Sequence, residues 1–241
     1  MRDNARKSFK TLGLAFAAAT ALSGCASVGE YADPRDPFES YNRAMHSFNE
    51  AVDEAVLVPV SKGYKAIMPA PLDTGITNFF GNLSDVGSAV NNLLQFKLQR
   101  AASDVGRVTI NSTIGILGFV DVASNMNLEK YGEDFGQTLG AWGIGPGPYI
   151  VLPLLGPSSG RDVVGRVGDY YTDPITYLEP ERDRILVLLL EAVDTRADLL
   201  GATRVLEEAA LDPYEFTRDA YLQKRQSDVY DGNPPLELYD E

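Results

Sequence analysis

Residues 36–56 read Asp36-Pro37-Phe38-Glu39-Ser40-Tyr41-Asn42-Arg43-Ala44-Met45-His46-Ser47-Phe48-Asn49-Glu50-Ala51-Val52-Asp53-Glu54-Ala55-Val56, and their pattern sets the fold class. Asp36 supplies a helix N-cap, Pro37 suits the first helical position, and Glu39 stands three residues after the cap. Phe38, Tyr41, Met45, Phe48, Val52 and Val56 then recur at steps of three and four, one face of a helix. That helix should stop near Pro59. Packing is the expected role of Phe48.

The same punctuation recurs along the chain. Asp212-Pro213-Tyr214-Glu215 repeats the cap near the C-terminus. Residues 181–210 carry Ile185 to Leu190, Ala197, Leu199, Leu200, Val205 and Leu206 among charges, a long amphipathic helix or two broken at Gly201. Residues 84–103 also read as helix. Strand candidates are confined to Tyr149-Ile150-Val151-Leu152 and Arg107-Val108-Thr109-Ile110. The reading is all-α, mostly amphipathic helices with at most one short hairpin. Residues 36–226 form the helical domain. Residues 227–241, acidic and carrying Asn233-Pro234-Pro235, form a mostly disordered tail.

The N-terminus carries a different signal. Arg2, Arg6, Lys7 and Lys10 precede an apolar run from Leu12 to Leu22, and Leu22-Ser23-Gly24-Cys25 closes it. This is a secretory signal, residues 1–24, ending in a lipobox, because small residues before the cysteine allow cleavage there. The run falls short of the ~20 apolar residues of a stable span. Cys25, the only cysteine, becomes the lipidated N-terminus, and residues 25–35 a tether. Several acyl chains at ~0.8 kcal/mol per buried methylene make a lasting anchor. Ala26 stands where an aspartate would favour the inner membrane, so the body belongs on the periplasmic side of an outer membrane. Cys25→Ala is expected to release the protein to the soluble periplasm.

Four of the 21 Lys and Arg and one of the 34 Asp and Glu lie in residues 1–24, leaving 217 residues with a net charge of −16. Such a surface repels nucleic acid and gives no polybasic attraction to anionic lipid. Membrane attachment must come from acyl chains and apolar surface.

Catalytic chemistry is poorly supported. Gly156-Pro157-Ser158-Ser159-Gly160 matches G-x-S-x-G, but the only histidine, His46, lies upstream, whereas a nucleophile elbow needs one after the serine. Asp162, Asp169 and Asp173 lie close in sequence without calcium-loop spacing and read as caps and solvated turns. No metal site is expected, nor any cofactor beyond the covalent lipid on Cys25. Residues 114–120 and 142–156 are glycine-rich, apolar and nearly uncharged. They read either as buried core with tight turns or as surface within a membrane or along a lipid path.

Taken in order, these segments resemble the MlaA (VacJ) family of outer-membrane lipoproteins over roughly residues 25–180. The resemblance rests on residues 36–43 with Phe48-Asn49, on Asn78 to Leu83, Asn91 to Gln95, Asn111 to Gly115 and Gly118 to Ala123. It continues through Glu133 to Gly140, Gly145 to Tyr149, Leu152-Pro153, Gly156 to Ser158 and Arg161-Asp162. It implies a ring-like, monotopic helical protein in the inner leaflet of the outer membrane, with an amphipathic channel and a trimeric porin as companion. The implied task is to remove misplaced phospholipid from the outer leaflet and pass it to a soluble periplasmic carrier. On that reading Gly143, Gly145, Pro146, Gly147, Pro148 and Pro153 belong to a hairpin, within 142–156, that sets the channel opening. Arg161 and Asp162 offer headgroup-facing charge, or an ordinary structural ion pair. A periplasm-facing scaffold without transport activity, and an envelope hydrolase using Ser158, are the competing readings.

Overall fold

A computed structural model describes residues 33–235. The signal, Cys25, the tether as far as residue 32 and the tail from residue 236 lie outside the described residues. The elements are α1 (Glu39–Val52), a π turn (Asp53–Leu57), α2 (Val58–Ile67), α3 (Ala70–Leu94), α4 (Leu98–Thr113), α5 (Val122–Asn125) and α6 (Phe135–Ala141). Then follow β1 (Tyr149–Leu152), β2 (Gly156–Ser159), α7 (Gly160–Thr172), a 3-10 turn (Pro174–Tyr177), α8 (Glu181–Ala209) and α9 (Pro213–Val229). The fold is helical with one antiparallel hairpin, pairing Tyr149 with Ser159 and Leu152 with Gly156.

Helix boundaries differ from the sequence expectation where local geometry absorbs a breaker. Pro59 does not end the first helix, because the widened turn at Asp53–Leu57 places it in the first turn of α2. A missing N–H is harmless there. The true end is Met68, extended before Pro69. Residues 84–103 are two helices, reversed at Phe96, whose φ of 61° lies in the left-handed region. Arg107–Ile110 lies inside α4 rather than in a strand. At Gly201, α8 continues unbroken, and a side chain there would meet nothing within 4 Å. The tail begins later than residue 227: α9 runs to Val229, and Lys97 Nζ holds Asp231 at 2.6 Å. The tether ends earlier than residue 35, since the Tyr149 amide donates to the Arg35 carbonyl at 2.8 Å.

Contacts between elements close a circuit: α1, the π turn and α2 lead to α8, then α3, α6, α9, β2, β1 and back to α1. Much of the circuit is tied by polar side chains. Tyr64 donates to Asp194 at 2.8 Å and Thr77 to the same carboxylate at 3.0 Å, joining α2, α3 and α8. Between α3 and α4, Asp85, Ser88 and Asn92 meet Asp104 and Arg107. Arg107 donates from Nε to Asp85 at 3.0 Å, from Nη2 to Asp121 at 3.0 Å, and from Nη1 to the Leu128 carbonyl at 2.8 Å. Asp104 accepts from Ser88 at 3.0 Å and from Asn92 at 2.8 Å.

The molecule is therefore patterned inside out. Asn42, Asp85, Asn91, Asn92, Asp104 and Arg107 are buried, while the buried apolar set leans on alanines 89, 101, 123 and 197. Outward lie Ile114, Ile116, Leu117, Leu154, Leu155, Val164, Val167, Leu186 and Leu189, each more than half exposed. Along α1 the periodicity marked the helix correctly, but Asn42 is the buried residue and Phe48 is 46 % exposed. Polar groups inside and aliphatic groups outside fit a hydrocarbon solvent, where hydrogen bonds must be met internally and small residues let helices approach. No helix among the described residues is long and apolar enough to cross a membrane.

Burial pushes the Asp104 carboxyl up, more than its hydrogen bonds to Ser88 and Asn92 lower it. A group whose folded pKa is raised stabilises below its unfolded value and costs stability as pH rises through the folded one. Asp104→Asn is accordingly expected to raise the melting temperature at pH 7 by a few degrees and to lose that advantage at pH 4. A thermal melt at the two pH values measures it; a lower melting temperature at pH 7 would contradict the assignment.

Candidate functional site

A cavity of about 910 Å³ opens between the loop after α6, the start of α7 and one face of α9. That volume lies toward the top of the ~300–1,000 Å³ usual for ligand sites. Gly143, Gly145, Pro146 and Gly147 line it from the loop, Arg161 and Asp162 from α7, and Tyr221 and Arg225 from α9. The structure thus brings the glycine-proline segment and the Arg161–Asp162 pair to one wall. Pro148 and Pro153 are not part of the wall, and the hairpin itself lies later than 142–156, at 149–159.

Local backbone explains the loop. Gly143 (φ 90°) and Gly147 (φ 67°) need the left-handed region, which a side chain disfavours. The Pro146 carbonyl accepts from the Arg161 amide at 3.0 Å, and the Pro148 carbonyl from the Gly160 amide at 2.9 Å. One end of the loop is therefore pinned to the first turn of α7. At the other end the Ile144 amide donates to Leu139 O at 3.0 Å, and Trp142 Nε1 to Leu94 O at 3.1 Å. Asn42 locks the hairpin behind it, donating to Tyr149 O at 3.1 Å and accepting from the Val151 amide at 2.8 Å.

The charged wall is preorganised. Arg225 donates from Nε and Nη2 to both oxygens of Asp162, each at 2.9 Å, and from Nη1 and Nη2 to Asp134 at 2.6 and 2.9 Å. Tyr221 donates to Asp162 at 2.6 Å, and Arg161 Nε to Asp162 Oδ1 at 3.0 Å. Burial alone would raise the Asp162 carboxyl, yet Arg225, Tyr221 and Arg161 more than offset it and hold it at about 2. Arg225 also lowers Asp134, against burial. Carboxylates with depressed folded pKa values stabilise above their unfolded value, near 3.9, and lose that contribution as pH falls toward the folded one. The melting temperature should therefore drop between about pH 4 and pH 2, and Asp162→Asn should flatten that drop. An unchanged acid limb in the variant would exclude Asp162 as its source.

Arg161–Asp162 is thus a buried ion pair, as the structural alternative expects, and both residues line the cavity. The partners on α9, Tyr221 and Arg225, escaped the sequence analysis, because a polar face on a C-terminal amphipathic helix reads as solvated surface. The hydrolase motif does not form an elbow: Ser158 is fully buried within β2 opposite Ile150, and Ser159 caps α7. His46 lies beside Tyr214, ring centroids 5.6 Å apart. Asp169 accepts from the Phe135 amide at 2.8 Å and Asp173 from the Ile175 amide at 2.8 Å, both structural caps. No group of three or more potential metal ligands occurs among the described residues.

A family model described as MlaA lipoprotein matches residues 34–228. The intermembrane phospholipid transport system lipoprotein MlaA of Escherichia coli K12 is 35 % identical over 210 residues, covering 85 % of this chain and 83 % of its own. The protein of that name in Haemophilus influenzae is 34 % identical, with 92 % of each chain covered. A solved structure, described as the structural basis for maintenance of bacterial outer membrane lipid asymmetry, superposes with a TM-score of 0.71 at 33 % identity. It covers 82 % of this chain and 99 % of its own.

Proposed function

The chain belongs to the MlaA lipoprotein family, and from that premise we propose that it is an outer-membrane lipoprotein of intermembrane phospholipid transport. Acylated at Cys25, it sits in the inner leaflet on the periplasmic side. It takes phospholipid misplaced in the outer leaflet through an amphipathic channel within the closed circuit of helices. It then hands that lipid to a soluble periplasmic carrier, with a trimeric porin as neighbour.

The observation that carries this reading is the inside-out pattern: many large aliphatic side chains are exposed while a set of polar and charged ones, Asp85, Asp104, Arg107, Arg161 and Asp162 among them, is buried. A phospholipid crossing a leaflet needs a polar route for its headgroup, since an ionic group in hydrocarbon costs several kcal/mol. Its tails need apolar surface beside that route. No nucleotide-binding motif occurs in the sequence, so the chain acts passively and its partners set direction.

The test is outer-leaflet phospholipid exposure in intact cells lacking this protein, read with a membrane-impermeant amine label. Exposure should rise several-fold, fall again with the wild-type chain, and stay high with Cys25→Ala. An unchanged level in the depleted cells would favour a scaffold that moves no lipid.

A further inference from the structure

The cavity wall holds one arginine whose donor fork is only partly used. Arg161 is 7 % exposed and lines the cavity, yet only its Nε is engaged, by Asp162 at 3.0 Å. Its two terminal nitrogens make no hydrogen bond to the described residues. Neighbouring Arg225 commits Nε and both terminal nitrogens to Asp134 and Asp162. Asp162 cannot readily take a further donor from Arg161, because Arg225 and Tyr221 already share its oxygens. Neither terminal nitrogen is among the buried side-chain atoms without a partner, so both face the cavity, where an oxyanion presenting two acceptors could replace water on the fork.

Three further features fit an anion there. Arg161 stands in the first turn of α7, a 13-residue helix capped by Ser159, where the backbone dipole favours negative charge. Its amide is held by Pro146 and its Nε by Asp162, so the open edge is fixed before any ligand arrives. Ile144, Leu222 and Val229 also line the cavity, and Val229 is near the fork: a Cβ at Gly140 would stand 2.7 Å from Val229 Cγ2 and 2.8 Å from Arg161 Nη1.

We propose that Arg161 receives the phosphate of a glycerophospholipid, its two terminal nitrogens holding two phosphate oxygens. Asp162, Arg225 and Tyr221 act as positioning residues that fix the arginine. The assignment rests on the transport reading and names the group that recognises its cargo. The pair Arg161–Asp162 is nearly balanced in charge, so the site suits a single phosphodiester anion rather than a polyanion.

The experiment uses the full-length lipoprotein in detergent. It measures equilibrium binding of a short-chain phosphatidylglycerol and of a diacylglycerol with the same chains, with inorganic phosphate as a separate arm. Wild type should bind the phospholipid about tenfold more tightly than the diacylglycerol. Arg161→Gln should erase that preference and leave diacylglycerol binding unchanged. Arg161→Lys should keep part of it, because an ammonium supplies charge without the fork. The preference in Arg161→Lys is read independently, should Arg161→Gln fail to fold. A folded Arg161→Gln protein that still prefers phospholipid would overturn the assignment. So would inorganic phosphate binding as tightly as the phospholipid, with the same Arg161 dependence, which would make free phosphate the ligand. Wild type binding neither lipid would instead count against the transport reading itself.

Discussion

Arg107→Met should lower stability by about 3–5 kcal/mol, the usual cost of leaving a buried charge without its partner. The guanidinium joins three segments: Asp85 on α3, Asp121 at the cap of α5, and the Leu128 carbonyl beyond it. Arg107 and Asp85 side chains are 3 % and 1 % exposed, so water cannot replace the lost donors. Lys130 reaches the other oxygen of Asp85 at 3.3 Å and softens the loss without removing it. Methionine fills similar volume, which separates the charge effect from a cavity effect. At roughly 2–4 °C per kcal/mol for a chain of this size, the melting temperature should fall by about 10 °C. The double variant Arg107→Met with Asp85→Asn should recover part of that fall, since it removes the stranded carboxylate. A fall below about 2 °C in the single variant would show that the α3–α4 contact does not depend on this network.

Gly165→Val should be comparably damaging for a steric reason. A Cβ at Gly165 would stand 2.5 Å from the Gly136 amide nitrogen and 2.7 Å from its Cα, so backbone would have to move. The α6–α7 crossing depends on this approach, and α6 leads directly into the loop that lines the cavity. Overpacking of this kind costs ~1–3 kcal/mol, and more where the obstacle is main chain. Separation of α6 from α7 would also pull Asp134 away from Arg225 and disturb the wall that holds Arg161. The expected result is a melting temperature lower by several degrees together with weakened phospholipid binding. Gly145→Ala is the internal control: its backbone is outside the left-handed region and nothing lies within 4 Å of the added methyl. Equal damage from both changes would mean that loop flexibility, not helix approach, is what the glycines provide.

Most of the helical inventory was legible from local chemistry. Asp212 caps α9 as expected, accepting from Tyr214 at 3.0 Å, but Asp36 does not cap α1: that helix starts at Glu39 with Phe38 at its N-cap and no side-chain cap, and Asp36 accepts from Asn42 Nδ2 at 2.7 Å instead. Tyr149–Leu152 is a strand for the reason its alternation suggested, buried at Tyr149 and Val151. What misled was the assumption of water on the outside. Phe48 on α1, expected to pack, is 46 % exposed and Val56 in the π turn 53 %, while the polar spacing Asp85, Ser88, Asn92 on α3 against Asp104, Arg107, Asn111 on α4 drew no reading of its own. In lipid that relation inverts, because apolar side chains gain nothing by leaving the hydrocarbon while unmet polar groups cost several kcal/mol. The same spacing of three and four, read for polar residues, would have found the α3–α4 network.

By itself the chain determined its helices and its hairpin strand, since caps and periodicity act over a few residues. It also carried the order of motifs that places it in its family. Only the tertiary structure decided which faces are buried, that Pro59 is absorbed by a π turn, and that the loop 143–147 shares a cavity wall with Arg161 and Arg225. Those outcomes depend on partners far apart in sequence, such as Tyr221 with Asp162, 59 positions away, and Arg225 with Asp134, 91 positions away. A carboxylate's role is set by the guanidinium that reaches it across the fold, and that distance is written in no local pattern.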